Sequence, residues 1–314
     1  MTGHILALSG GVGGAKLASG LAAVLPPERL TIAVNTGDDF EHLGLTICPD
    51  IDSVVYAMAG LNDHQRGWGV AGETWQAMAM LRALGEADWF NLGDRDLGMH
   101  IARSWRLRAG ESLSEVTTRL TQALGIAHKV VPMSDDPVRT QVQTQTGWCD
   151  FQQWFVGDQC GPAVSAIRFA GTPGAEASPG LAAALARPDL AAIVICPSNP
   201  FLSVDPILAI DGVREAISRR AVPCIGVSPL IGGMALKGPL SKMLNELGIA
   251  PSNHSIAAHY GALIDHLVID RSDGDEASTL QDGGLAATVT ETLMKTADDQ
   301  ARLARDVLAA VGVE

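Results

Sequence analysis

HILALSGGVGGAKLASGLAAVLPPERLTIAVN, residues 4–35, is the stretch that decides the fold. Residues 4–8 are an apolar run of strand length, and a glycine-rich segment, 9–14, follows at once. Leu17, Leu21, Val24 and Leu25 then recur at i, i+4, i+7 and i+8, the stripe of a helix lying on a sheet. Pro26 and Pro27 stop that helix, and 30–35 is a second β-branched run. Together they predict one parallel βαβ unit with a short crossover. Further strands are expected at 190–196, 223–227 and 266–270, with helical windows between them and a last amphipathic helix over about 298–310. Such alternation predicts an α/β fold with a doubly wound, mostly parallel sheet.

The middle of the chain departs from this rhythm. Residues 60–130 read as helical, with Trp68, Trp75, Trp89 and Trp105 spread along them. Residues 141–169 read as antiparallel strands, with Trp148, Phe151, Trp154 and Phe155 crowded beside turn residues. The range 60–170 is therefore expected to be a helical and antiparallel cap inserted over the carboxyl edge of the sheet. No Pro/Gly/Ser-rich linker sets it apart, so 1–314 is read as one domain.

Composition narrows the function. With 314 residues, 47% hydrophobic and 18% charged, the chain is an ordinary globular mixture, and wholesale disorder is excluded. The longest apolar runs are strand-sized, far short of the ~20 residues of a membrane helix. Residues 1–8 lack the basic start and long apolar stretch of a secretory signal. Five cysteines without any Cys-x-x-Cys pair fit a reducing cytoplasm. A net charge of −13 with scattered Lys and Arg argues against a general nucleic-acid binder. Anionic ligands then require backbone N–H groups, a few placed cations, or a metal.

Four clusters carry the chemistry. GGVGGAK (10–16) joins the first strand to the first helix, where glycines allow close approach to a phosphate at a helix N-terminus. It matches neither the Walker loop, which needs Ser or Thr after the lysine, nor the dinucleotide fingerprint, which needs Gly or Ala at Lys16. A glycine turn for tight packing is the competing reading. NTGDD (35–39) and CPDIDS (48–53) bring Asp38, Asp39, Asp50 and Asp52 close in sequence to that loop, a donor set suited to Mg²⁺. Helix capping by Asp50 or Asp52 is the alternative. LGDRDLGMH (92–100) places Arg95 between carboxylates, either to grip an anion or as a solvated helix start. PSNP (197–200) and SPLIGG (228–233) put Ser198, Asn199 and Ser228 at two strand ends, where open α/β sheets bind ligands.

In this order the motifs resemble the 2-phospho-L-lactate transferase family, which makes the precursor of the deazaflavin coenzyme F420. RGWG (66–69), ETW (73–75) and PMSDDP (132–137) extend the resemblance, which covers most of the chain, from about residue 8 to 268. The resemblance implies a Rossmann-like fold and Mg²⁺-dependent transfer from a guanosine diphosphate ester of a three-carbon acid, lactyl or enolpyruvyl. The acceptor it implies is the ribityl hydroxyl of 7,8-didemethyl-8-hydroxy-5-deazariboflavin (Fo), with F420-0 or dehydro-F420-0 and GMP as products. Carried onto this sequence, Asp38 and Asp50 are the metal ligands, and Gly10, Gly11, Gly13, Gly14 and Lys16 cradle the diphosphate. Ser198, Asn199 and Ser228 meet the guanosine, while Asp52, Trp68 and Arg95 meet Fo, Arg95 with a catalytic role. A cytoplasmic homodimer acting on small molecules, without nucleic acid or membrane partners, is the expected setting. A regulatory nucleotide-sugar binder of the same superfamily is the alternative, and it would not need the Asp clusters or the 66–96 motifs. An NAD(P) dehydrogenase is disfavoured by Lys16.

Overall fold

The structure is a computed structural model and describes residues 3–63, 65–236 and 238–313. Seven strands form one sheet: β1 (His4–Ser9), β2 (Leu30–Val34), β3 (Lys129–Pro132), β4 (Leu190–Ile195), β5 (Cys224–Val227), β6 (His266–Asp270) and β7 (Ala286–Thr290). Their order is β3-β2-β1-β4-β5-β6-β7, and every pairing is parallel. Consecutive strands run outward in both directions from β1 and β4, so the chain reverses its order between these two. Open α/β sheets bind their ligands in the crevice at such a point.

β1, β2 and β4 to β6 are buried on both sides because successive side chains alternate between two cores. Ile5, Ala7, Ile32 and Val34 face one core, packed under Leu17 and Leu21 of α1 (Gly11–Val24) and Val54 and Val55 of α2 (Pro49–Met58). Leu303 and Val307 of the C-terminal helix, Ala297–Ala310, close that layer. Leu6, Leu8, Ile193 and Ile195 face the other core, against Leu181, Ile207, Ile217 and Leu263. The doubly wound α/β fold expected from residues 4–35 is thus observed, and the five strands and last helix read from sequence lie within a residue of their expected bounds.

The inserted material is divided differently from the expectation. β3 falls inside the range 60–170 and pairs with β2 in the central sheet, so the cap consists of two excursions on either side of it. The first carries a short antiparallel pair (Phe40–His42 with Leu45–Ile47) and helices Gln76–Leu84, Asp94–Arg108 and Leu113–Ala123. The second carries an antiparallel sheet of Arg139–Thr144, Gly147–Asp150 and Ala166–Ala170. β3 is short and ends in Pro132, a residue that sheets accept at an edge because it lacks an N–H to donate. Among the described residues, no helix is long and apolar enough to cross a membrane.

Gly20 of α1 packs against the Gln300 backbone in the C-terminal helix, leaving no room for a methyl group. Gly98, within helix Asp94–Arg108, faces open space, with no neighbour within 4 Å of where a methyl group would stand. Gly20→Ala is therefore expected to lower unfolding free energy by about 1–3 kcal/mol through overpacking. Gly98→Ala is expected to raise it by about 0.5–1 kcal/mol through helix entropy. Urea titrations of the two variants check both signs.

Candidate active site

The loops that follow β1 and β4 lock together at the crevice. Gly10 N–H donates to Ser198 Oγ at 3.1 Å, and Ser198 Oγ donates back to the Gly10 carbonyl at 2.8 Å. A side chain at Gly13 would overlap the Pro197 carbonyl, and one at Gly14 would overlap the Ser198 and Ser9 hydroxyls. Gly11 takes φ +64, which glycine adopts without strain. The glycines thus serve tight packing, and Gly10, Gly11 and Gly13 also line a cavity of about 780 Å³.

Asp38 and Asp50 share that cavity wall. Asp50 lies in the first turn of α2; its Oδ1 accepts from Gly11 N–H at 2.7 Å and its Oδ2 from Asn35 Nδ2 at 2.9 Å. Asn35 is itself fixed, since its Oδ1 accepts from Gly37 N–H at 2.8 Å. Asp38 is buried, and its Oδ1 has no hydrogen-bond partner among the described residues. Burial, and then the neighbouring Asp50, push the Asp38 carboxyl well above the usual carboxylate range. Burial also raises Asp50, against the pull of its Asn35 and Gly11 hydrogen bonds. Adjacent Asp39 is pushed up to about 7 by burial, opposed by Arg139. Asp38 and Asp50 thus form an acidic pair whose repulsion a cation would relieve.

Asp52 is two residues along the same helical turn, so it points away from Asp50 and out of the cavity. Both its oxygens meet the guanidinium of fully buried Arg103. Arg103 Nη1 also lies 3.2 Å from His100 Nδ1, and His100 Nε2 lies 3.2 Å from Asp96 Oδ1, which accepts from the Tyr56 hydroxyl at 2.5 Å. Asp52, Asp96 and His100 bring ligand atoms within 4.8 Å of one another, a group with the donor chemistry to hold a metal ion. In this arrangement the Arg103 guanidinium supplies the positive charge.

Arg95 also stands outside the cavity wall. Glu73 accepts from the N–H groups of Arg95 and Asp96, each at 2.8 Å, at the start of helix Asp94–Arg108. Asp94 in turn accepts from Gln76 and Ala77 N–H, each at 3.0 Å, at the start of helix Gln76–Leu84. The ETW and LGDRD segments are reciprocal helix caps, and exposed Arg95 holds the Ala71 carbonyl. Neither Asp52 nor Arg95 lines the cavity: Asp52 is paired with Arg103, and the Arg95 side chain reaches the Ala71 carbonyl.

Of the remaining expected residues, all but Gly14 line the cavity. Lys16 Nζ donates to the Met294 carbonyl at 2.7 Å. Asn199 Oδ1 accepts from Phe201 N–H at 3.0 Å, leaving its buried Nδ2 without a partner among the described residues. Ser228 Oγ accepts from Leu230 N–H at 3.1 Å, and its proton is left to donate. Trp68, Phe90, Phe151 and Phe155 are aromatic side chains that line the cavity. Two π-helical turns, Gln153–Gly157 and Pro200–Val204, supply Phe155 and Val156, and Leu202 and Ser203, to it. Asn35, which orients Asp50, escapes the sequence reading, although its position at the end of β2 within NTGDD is the available signal.

A family model described as 2-phospho-L-lactate transferase CofD matches residues 5–307. The chain is 38% identical over 313 residues to a phosphoenolpyruvate transferase of Kitasatospora aureofaciens, covering 98% of this chain and 97% of that protein. It is 36% identical over 304 residues to a 2-phospho-L-lactate transferase of Methanosarcina acetivorans, covering 97% and 98%. A crystal structure of a UPF0052-family protein from Bacillus halodurans superposes with a TM-score of 0.63 at 16% identity, covering 98% and 99%, and so shares the fold.

Arg103→Leu is expected to cost about 3–5 kcal/mol, because Asp52 would be left as a buried, unpaired charge. The double variant Asp52→Leu/Arg103→Met should recover part of that loss. Chemical denaturation of the wild type and both variants measures it.

Proposed function

Because this chain belongs to the 2-phospho-L-lactate transferase family, matching its model over residues 5–307, we propose that the cavity at the 10–14 loop is where a phospholactate or phosphoenolpyruvate group passes from a guanosine diphosphate ester to Fo. The observation that carries the site assignment is the acidic pair beside the phosphate loop. Asp50 is fixed by two donors, and Asp38 offers a buried oxygen with no partner among the described residues. Those oxygens fit a hard cation, and Mg²⁺ is the ion this reading assigns to them. Bound there, it would offset the negative charge of the donor diphosphate and of departing GMP.

The protein's own groups do the rest by positioning, which is most of what phosphoryl transfer requires. Backbone along the glycine loop and Lys16 hold the diphosphate beside α1. Asn199 Nδ2 and the Ser228 hydroxyl are donors for the guanosine. Trp68, Phe90, Phe151 and Phe155 offer flat apolar surfaces to the deazaflavin rings. The ribityl hydroxyl then bonds to the phosphorus nearer the acid and gives up its proton, while the phosphoanhydride breaks and GMP leaves with the bonding pair. Free cysteines throughout fit the cytoplasm as the place of action, and the resemblance carries a homodimer with it.

Incubating the purified protein with Fo, Mg²⁺ and each guanosine donor should release GMP together with the phosphorylated deazaflavin. Excess EDTA should stop it, and Asp38→Asn should lower turnover by about a hundredfold or more while circular dichroism stays unchanged. Asp38→Asn is the cleaner probe, because Asn at 50 would turn an amide N–H toward either Gly11 or Asn35. Wild-type turnover in Asp38→Asn, or full activity in EDTA, would show the carboxylates to be structural.

Nucleotide selectivity gives an independent test. GDP at a hundredfold excess over its Kd should stabilise the fold by about 2.7 kcal/mol. Thermal shifts with ADP and NAD should be much smaller, and equal shifts would count against a guanosine site.

A further inference from the structure

Within RGWG (66–69), Arg66 has no role in the reaction so far, and it faces the cavity. Asp63 builds the loop that presents it: Asp63 Oδ1 accepts from Gln65 N–H at 2.8 Å and Arg66 N–H at 2.9 Å. Gly67 and Gly69, at φ +77 and +69, turn the chain back so that Asp63 N–H reaches the Gly69 carbonyl at 3.0 Å. The guanidinium is then held from one side. Nε donates to Asp63 Oδ2 at 3.0 Å and Nη2 to the Val70 carbonyl at 2.8 Å. Its Cζ lies 5.4 Å from the Trp68 ring centroid and 5.0 Å from that of Trp75. Nη1, with both its protons, makes no hydrogen bond among the described residues, and Arg66 lines the cavity next to Trp68.

We propose that Arg66 is the specificity-determining residue that binds the carboxylate of the three-carbon acid during transfer. This rests on the transferase reading above. The acid carries a carboxylate that the reaction leaves untouched, and burying it beside Asp38 and Asp50 is costly without a cation or donors of its own. Among the described residues only Lys16 and Arg66 bring positive charge to the cavity wall. Lys16 stands on α1 beside the phosphate loop and donates to the Met294 carbonyl. Arg66 stands on the wall, with Trp68, and presents donors already fixed in plane. Guanidinium N–H groups held in this way suit a carboxylate.

The test compares the guanosine diphosphate ester of the acid with its carboxamide analogue, in wild type, Arg66→Gln and Arg66→Lys, alongside GDP and Fo affinities. In wild type, kcat/KM should favour the acid over the amide by roughly tenfold to a hundredfold, the value of a charge-assisted hydrogen bond. In Arg66→Gln that ratio should fall toward one through loss of the acid donor's kcat/KM, with GDP and Fo affinities unchanged, and Arg66→Lys should restore part of it. An unchanged ratio in folded Arg66→Gln overturns the assignment; if Fo affinity falls instead, Arg66 serves the acceptor. Equal wild-type turnover of both donors overturns it while leaving the transferase reading intact. Absence of GMP release from either donor in wild type overturns both.

Discussion

Two loops must touch for this site to exist. Ser198 can latch onto both backbone groups of Gly10 only because positions 10, 13 and 14 carry no side chain. That contact draws the ends of β1 and β4 together at the point where strand order reverses. It also brings Gly11 N–H to Asp50, which pulls the first turn of α2 to the cavity. Once α2 is placed, helical geometry dictates that Asp52 faces elsewhere, toward Arg103. One steric requirement at three glycines therefore sets the glycine loop, the place of Asp50 and the docking of the first cap excursion.

The acidic residues that sit together in sequence divide by environment. Asp38 and Asp50 lie buried on the cavity wall with no cationic side chain among the described residues bonded to either, Asp50 accepting from Gly11 and Asn35. Asp52 and Asp96 are satisfied inside the protein by Arg103, His100 and Tyr56. The second group anchors helix Asp94–Arg108 to the α2 turn that carries Asp50. Outside the cavity Asp52 pairs with Arg103, and Asp94 and Asp299 accept from N–H groups at helix starts.

Central features were legible in the sequence, and peripheral ones were not, for physical reasons. β1, β2 and β4 to β6 are buried on both faces, so their apolar runs are continuous and hard to miss. β3 and β7 are edge strands: β3 is short and ends in proline, and β7 is Ala- and Thr-rich with much of its length partly exposed. Neither gives a periodic signal. The Gly loop and the Asp38–Asp50 pair could be anticipated because spacing along βα units fixes their place. The direction of a side chain within a turn could not, which is why Asp52 was grouped with Asp50. The capping partner of LGDRD, Glu73, lies far off in sequence, so only the fold shows the two segments capping each other's helices.

The two π-helical turns beside the cavity make its shape depend on chain length as well as residue identity. A π turn accommodates one residue more than an α turn. Each residue in an α-helix advances the side-chain direction by about 100°. Deleting one residue from Gln153–Gly157 would return that stretch to ordinary helical spacing and swing Phe155 and Val156 off the cavity wall. The same change in Pro200–Val204 would re-aim Leu202 and Ser203 beside the glycine loop. Insertions and deletions of a single codon are thus a direct evolutionary route to a differently contoured pocket on an unchanged sheet.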